Sequence, residues 1–308
     1  MGVMQEGNVL SSIESIQQAL ATEHYIADRE LATIILLARA LQKPLLLEGE
    51  PGVGKTEVAR ALAAVLSTRL IRLQCYEGLD ATHALYEWNY PRQLLHIRAM
   101  EGRLADVDEV ERSIFSETYL IKRPLLDAIA SPSDVPPVLL IDEVDRADEP
   151  FEAFLLEVLS DFQVSIPELG TIHARHRPLV ILTSNRTREI HDALKRRCLY
   201  IWLSYPSFER EMEILKARVP EIEDLLAAQL CRFMVRLRAM DLNKRPGVAE
   251  TIDWAEALLY LEKRELDVSA VFGTVGVILK TREDLARFDR DGINELLRDV
   301  HATPTGHG

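Results

Sequence analysis

The chain has 308 residues, a length that points to two domains, and its 47% hydrophobic content is ample for a packed core. Its net charge of −13 speaks against a broad phosphate-binding surface and so against a nucleic-acid motor. Three cysteines (Cys75, Cys198 and Cys231) lie far apart without C-x-x-C spacing, which fits a reducing cytosol rather than a disulfide framework.

The N-terminus lacks a basic-then-apolar signal pattern. The most apolar stretch, Leu31 to Leu47, is interrupted by Arg39, Lys43 and Pro44, so no direct membrane insertion is expected and a cytoplasmic location is. Helices are predicted over Ser12 to Leu20 and Asp28 to Leu41. Between them Tyr25-Ile26 either covers an adenine ring or belongs to the core. The run Pro44-Leu45-Leu46-Leu47 reads as a buried strand.

Directly after it comes Gly49-Glu50-Pro51-Gly52-Val53-Gly54-Lys55-Thr56, which matches G-x-x-x-x-G-K-[ST]. From Glu57 to Ser67 a helix places Val58, Leu62, Val65 and Leu66 on one face. Strand, glycine loop and helix in that order turn backbone N–H groups toward a phosphate at a helix N-terminus. Glycines permit the positive φ angles and close approach that a Cβ obstructs. Lys55 then reaches the β- and γ-phosphates and the Thr56 hydroxyl ligates Mg²⁺, so the segment Gly49 to Glu57 is expected to hold ATP.

Leu70 to Cys75 is a second predicted strand. In Asp80 to Met100 the residues Tyr86, Trp88, Tyr90, Leu94 and Leu95 alternate with His83, Glu87, Arg92 and His96, which suits either core packing or contact with a partner. The charged segment Glu101 to Glu111 reads as a surface insertion.

Val138-Leu139-Leu140-Ile141-Asp142-Glu143 is four apolar residues followed by two carboxylates, the pattern of a central parallel strand buried on both faces. Ligands of such sheets bind outside the carboxyl ends of the strands. Asp142 is therefore expected to hold the Mg²⁺ of the nucleotide, and Glu143 to polarise the attacking water. A small-molecule kinase has no need of Glu143 there, whereas an ATPase does.

From Asp148 an amphipathic helix carries Phe151, Phe154, Leu155, Val158 and Leu159 at helical spacing. Phe162 to Ala174 reads as a hairpin and Leu179 to Ser184 as another buried strand. His173 and His176 form H-x-x-H, but strand side chains alternate, so the two are expected as surface histidines rather than metal ligands. Beyond Tyr205-Pro206 the pattern is wholly helical: Phe208 to Arg218, Ile222 to Met240, Val248 to Lys263, Val268 to Lys280 and Arg282 to Val300. The predicted domains are 1–206, α/β with a P-loop and a parallel sheet flanked by helices, and 207–300, a smaller all-α lid. A polar tail, 301–308, follows.

These residues resemble the MoxR group of AAA+ ATPases from about Tyr25 to Val300. The resemblance rests on the P-loop, on Asp142-Glu143-Val144-Asp145-Arg146-Ala147, on Leu155-Leu156-Glu157 with the hairpin after it, and on Thr183-Ser184-Asn185. Within the group, Tyr86-Glu87-Trp88-Asn89-Tyr90-Pro91-Arg92-Gln93 and Leu194-Lys195-Arg196-Arg197-Cys198-Leu199-Tyr200 look most like the CoxD-type branch, associated with maturing a molybdenum–copper carbon monoxide dehydrogenase. The resemblance implies a helix-2 insertion over Asp80 to Met100 and a pre-sensor hairpin over Phe162 to Ala174. It further implies Asn185 as the first sensor and Arg196, with Arg197 as competitor, as the arginine finger reaching a neighbouring subunit. It implies a hexameric ring, a partner with a von Willebrand A-type domain and a metalloenzyme client. The position of the usual second sensor arginine holds Glu250, and Arg245 is a candidate substitute. The expected function is that of an ATP-hydrolysing remodelling chaperone. The alternatives are a nucleic-acid-associated motor and a nucleotide-gated scaffold that barely hydrolyses.

Overall fold

The computed structural model of the chain describes residues 10–100, 107–288 and 290–301. In chain order, the N-terminal part runs α1 (Ile13–Thr22), α2 (Arg29–Leu41), β1 (Leu45–Gly49), α3 (Lys55–Val65) and β2 (Leu70–Gln74). It continues through α4 (Ala81–Leu85), β3 (Tyr86–Trp88), α5 (Tyr90–Met100), α6 (Val107–Ile114), β4 (Leu120–Lys122) and α7 (Pro124–Ile129). Then come β5 (Val138–Asp142), α8 (Glu149–Asp161), β6 (Gln163–Ile166), β7 (Gly170–His173), β8 (Leu179–Ser184), α9 (Asp192–Arg197) and β9 (Leu199–Leu203). Six helices complete it: α10 (Phe208–Arg218), α11 (Asp224–Ala239), α12 (Val248–Tyr260), α13 (Val268–Thr274), α14 (Arg282–Ala286) and α15 (Arg290–His301). No described helix is long and apolar enough to cross a membrane.

The chain forms two compact units. One comprises the described parts of Met1–Ala19, Asp28–Glu48 and Val58–Trp202; the other comprises Leu20–Ala27, Gly49–Glu57 and the described residues from Leu203 on.

The five-stranded sheet has the order β2-β5-β8-β1-β9, and the pairs β2–β5, β5–β8 and β8–β1 are parallel. β1 and β5 are buried along their whole length, as expected of strands packed on both faces. The register pairs Gln74 with Asp142 and Glu48 with Ser184, so the polar strand ends share one edge of the sheet. Helix starts follow local chemistry: the carboxylates of Asp28 and Asp148 accept the amides of Leu31 and Phe151 and cap α2 and α8.

The aromatic-rich stretch divides between its two readings. Trp88 is buried edge-on against Phe115 at 5.3 Å, while Tyr90, Leu94 and Leu95 on α5 are exposed. Of the charged insertion Glu101 to Glu111, residues 101–106 lie outside the described residues and the remainder belongs to α6; the tail 302–308 also lies outside them.

The second unit packs around Trp254 and Phe233, whose ring centroids are 5.1 Å apart; the indole N–H of Trp254 donates to Thr274 at 2.7 Å. Two predicted helices are shorter than expected. The one from Val268 ends at Thr274 and continues only as a single 3₁₀ turn, Val275–Val277, where Gly273 and Gly276 weaken the helix. The one from Arg282 breaks after Ala286. Arg287 and Phe288 donate to carbonyls three residues back, which tightens and ends the turn, and the Phe288 side chain is buried in the unit's core.

Candidate functional site

In the second unit the chain leaves β1 at Gly49, turns through Gly52 at φ +75° and Gly54 at φ +93°, and starts α3 at Lys55. Lys55 is buried, and its ammonium donates to the carbonyls of Gly49 at 2.7 Å and Glu50 at 2.8 Å. Those carbonyls hold the charge at the mouth of its own loop. Pro51 is exposed, while Val53 and Thr56 are half-buried. The Tyr25 ring lies near Gly54, 3.7 Å from where a Cβ there would stand, and the carbonyl of half-buried Ile26 accepts from the Arg210 guanidinium at 3.0 Å. Glu57 forms an ion pair with Arg218 at 3.1 Å.

The same unit presses a second backbone segment onto this loop. The N–H of Val248 donates to the carbonyl of Gly52 at 2.9 Å, and a Cβ on Gly247 would stand 2.6 Å from the Gly52 Cα. Only glycine fits there. Glu250 brings an anion rather than a cation to the loop: its Oε2 lies 3.2 Å from where a Cβ on Gly52 would stand, and the same oxygen accepts the Gly247 N–H at 2.9 Å at the start of α12. The Gly247 carbonyl is held in turn by Arg238 at 3.2 Å. Arg238 forms a buried two-pronged pair with Glu211 at 2.6 and 2.7 Å, joined by the Thr251 hydroxyl, which donates to Glu211 at 2.7 Å. The guanidinium also lies over the Tyr205 ring at 4.8 Å. Burial, and after it the nearby Glu50 carboxylate, raises the Tyr205 phenol above its ordinary pKa. Arg245, the candidate substitute sensor, is exposed.

In the first unit Asp142, Glu143 and Asn185 come together at the carboxyl edge of the sheet. Asp142 is 3% exposed. One of its oxygens accepts the Thr183 hydroxyl at 2.5 Å, and the other accepts two Arg72 N–H groups at 2.6 and 3.0 Å. Glu143 sits in the left-handed region at φ +55°, an uncommon backbone for a non-glycine residue, and its N–H donates to Thr183 at 2.9 Å. Its carboxylate accepts from Asn185 at 3.2 Å and Gln74 at 3.1 Å and pairs with Arg146 at 3.0 Å. The buried Asp145 carboxylate fixes the loop that carries Asn185, accepting the amides of Asn185 and Thr187. Cys75 lies close by, and burial, then the carboxylates of Asp142 and Asp145, push its thiol up to about 12, leaving it protonated and inert.

Arg196 and Arg197 are both exposed on the last turn of α9, where the helix dipole favours cations. Two residues that sequence reasoning missed fix this segment. Glu152, fully buried on α8, pairs with Arg188 and accepts the His191 N–H at 2.7 Å, tying down the start of α9. Arg72 and Gln74 were missed as well. Their signal is polar side chains at i and i+2 in an apolar strand, which read as a solvent face. His173 is exposed at the end of β7, and His176 lies 4.0 Å from Asp134. Among the described residues no three His, Cys, Asp or Glu gather as a metal cluster.

Comparison with known proteins matches residues 45–203 to the model of the "ATPase family associated with various cellular activities (AAA)". A Lon protease of Cytophaga hutchinsonii is 27% identical over 195 residues, 61% of this chain but 21% of that one. A Lon protease of Flavobacterium johnsoniae is 25% identical over 223 residues, 66% of this chain and 24% of that one, so the chain spans less than a quarter of both. An uncharacterised protein of Staphylococcus haemolyticus is 25% identical over 228 residues, 72% of this chain and 77% of that one. Among solved structures, the Thermotoga maritima RuvB Holliday junction branch migration motor is 18% identical with a TM-score of 0.46, covering 96% of this chain and 81% of that one.

Proposed function

This chain belongs to the AAA family of ATPases, and from that premise we propose that it is a ring-forming, Mg²⁺-dependent ATPase that remodels a partner protein. The observation that carries the reading is the carboxyl edge of the sheet. There Glu143 is oriented by Asn185 on the strand end next to Asp142, and β1 of the same sheet leads directly into the Gly-Lys-Thr loop. The donor set fits both groups: a turn with positive φ at Gly52 and Gly54 presents amides to phosphate, and the hydroxyl of Thr56 and carboxylate of Asp142 are hard oxygen donors of the kind Mg²⁺ takes. When bound, the metal neutralises charge on the phosphates.

The residues divide the work. Gly49 to Glu57 hold the triphosphate, with Ile26 beside the base. Lys55 supplies a positive charge to the β- and γ-phosphates, and Asn185 orients water toward Glu143, which takes its proton. Arg196 reaches the nucleotide of a neighbouring subunit, with Arg197 as its competitor. The functional domains are 1–206 and 207–300. The segments that resemble the CoxD-type branch of the MoxR group support the finer reading: a hexamer in the cytoplasm, working with a von Willebrand A-domain protein on the metal centre of a metalloenzyme. Under this reading, deleting the gene leaves the client metalloenzyme synthesised but short of metal, measured as metal per purified client. Fully metallated client in the deletion strain contradicts it.

The glycine contact makes a sharper demand on the loop. Gly247→Ala drives a methyl group into the Gly52 backbone, and such overpacking costs about 1–3 kcal/mol. If the loop moves to relieve it, ATP binding weakens by about five- to 150-fold. Equilibrium titration with ATP checks this, and an unchanged Kd removes the contact from the function of the loop.

A further inference from the structure

Two arginine–carboxylate pairs in this molecule differ in one respect that bears on exchange. Arg238 and Glu211 are both buried, with side chains 6% and 0% exposed, so neither can leave without stranding the other. Asp142 is as deeply buried at 4%, but its partner Arg72 is 46% exposed. A guanidinium on a half-exposed stem can withdraw into water while keeping its charge, and it is weakly hydrated to begin with.

We propose that Arg72 is a resident counter-cation for Asp142, held in the place that the divalent metal takes when the site is loaded. The proposal rests on the reading of Asp142 as the metal-holding carboxylate and names a residue that regulates it. A carboxylate removed from water needs a compensating charge. Arg72 provides one, with two N–H groups converging on a single oxygen while Thr183 holds the other. Two cations crowded on one oxygen repel, so metal and guanidinium compete for it. The register makes the arrangement local to β2. Arg72 and Gln74 project from the same face, and Gln74 stands opposite Asp142. Arg72 also donates to the side-chain oxygen Oε1 of Gln74, and the Nε2 of the same side chain donates to Glu143 at 3.1 Å. Departure of Arg72 therefore removes one of the bonds that orient Gln74 on Glu143. Arg72 is a positioning residue in this scheme, not a catalytic one.

The test measures binding rather than turnover, with Mn²⁺ as probe and a non-hydrolysable ATP analogue present, followed by electron paramagnetic resonance. If Arg72 competes with the metal, Arg72→Gln binds Mn²⁺ more tightly than the wild type. The size of ordinary coupling between sites puts the gain at about five- to 150-fold. Arg72→Lys keeps the charge but loses the fork, and gains less. Should Arg72→Gln fail to fold, the smaller gain in Arg72→Lys carries the test. Unchanged or weaker Mn²⁺ binding in whichever variant is read overturns the proposal, because an arginine that merely orients Asp142 for the metal gives that sign. Asp142→Asn separates this failure from failure of the underlying reading. If Asp142→Asn binds Mn²⁺ as the wild type does, Asp142 is not the metal-holding group and both readings fall. If it weakens binding while Arg72→Gln has no effect, only the Arg72 proposal falls. The proposal further requires that the gain from Arg72→Gln vanish in the Asp142→Asn background.

Discussion

Lys55→Ala is expected to leave a folded chain whose ATP binding is weaker by roughly 10²–10⁴-fold. Its ammonium is buried and held by the carbonyls of Gly49 and Glu50, so the positive charge stands at the mouth of the loop. Hydrogen bonds to charged groups are worth about 1.5–3 kcal/mol each, and losing two of them to phosphate gives the stated range. No neighbouring cation in this loop can take over: the run from Gly49 to Glu57 contains no other lysine or arginine. Equilibrium titration with ATP, with circular dichroism as the check on folding, measures the effect. A Kd within about threefold of the wild type rejects the phosphate role of Lys55.

Arg196→Ala is expected to lower hydrolysis by about 10³–10⁵-fold while ATP still binds, the effect of removing an arginine finger in other nucleotide hydrolases. The residue is exposed on the last turn of α9, whose start is pinned by Glu152 through Arg188 and His191. A cation offered outward from a fixed helix suits a site on a neighbouring subunit better than one in its own. Mixing tests this directly. Lys55→Ala subunits keep Arg196, and Arg196→Ala subunits keep an intact loop, so each protein alone is nearly inactive. In mixed rings some interfaces pair the intact loop of one with the arginine of the other, and partial hydrolysis returns. Differential tagging verifies that mixed rings form. With mixing verified and no recovery, the same experiment on Arg197→Ala identifies the finger. Full activity in Arg196→Ala alone rejects its role across the interface.

How much was legible in the sequence follows from which contacts are local. The strands β1, β5 and β8 stand out because burial on both faces makes each a nearly unbroken apolar run. The P-loop and the Asp142-Glu143 pair are each a run of neighbouring residues, so each is visible as a motif in the sequence. β9 was missed although Leu199, Ile201 and Leu203 alternate with Tyr200 and Trp202, because a five-residue strand next to a short helix gives little periodicity to weigh. β4 and α7 are shorter than a clear pattern requires and drew no prediction. The partners of the acidic residues were invisible for another reason. Arg72 meets Asp142 across 70 positions, and Gly247 meets Gly52 across a gap longer still; neither pairing exists until distant strands and loops are assembled. Glu250, which stands where the resemblance places a sensor arginine, accepts the N–H of Gly247 at the start of its own helix, a role that no motif spacing displays.

The proposed ATPase activity depends on Glu143 as the residue that activates water against bound ATP. It is tested most directly by measuring ATP affinity and phosphate release side by side in assembled wild-type and Glu143→Gln proteins. The substitution keeps the shape of the side chain and removes the proton acceptor that Asn185 and Gln74 orient. A positioned general base contributes about 10²–10⁴-fold. ATP affinity close to wild type is expected, with phosphate release slower by about that factor and accumulation of ATP-loaded rings. Phosphate release by Glu143→Gln at the wild-type rate contradicts this role of Glu143.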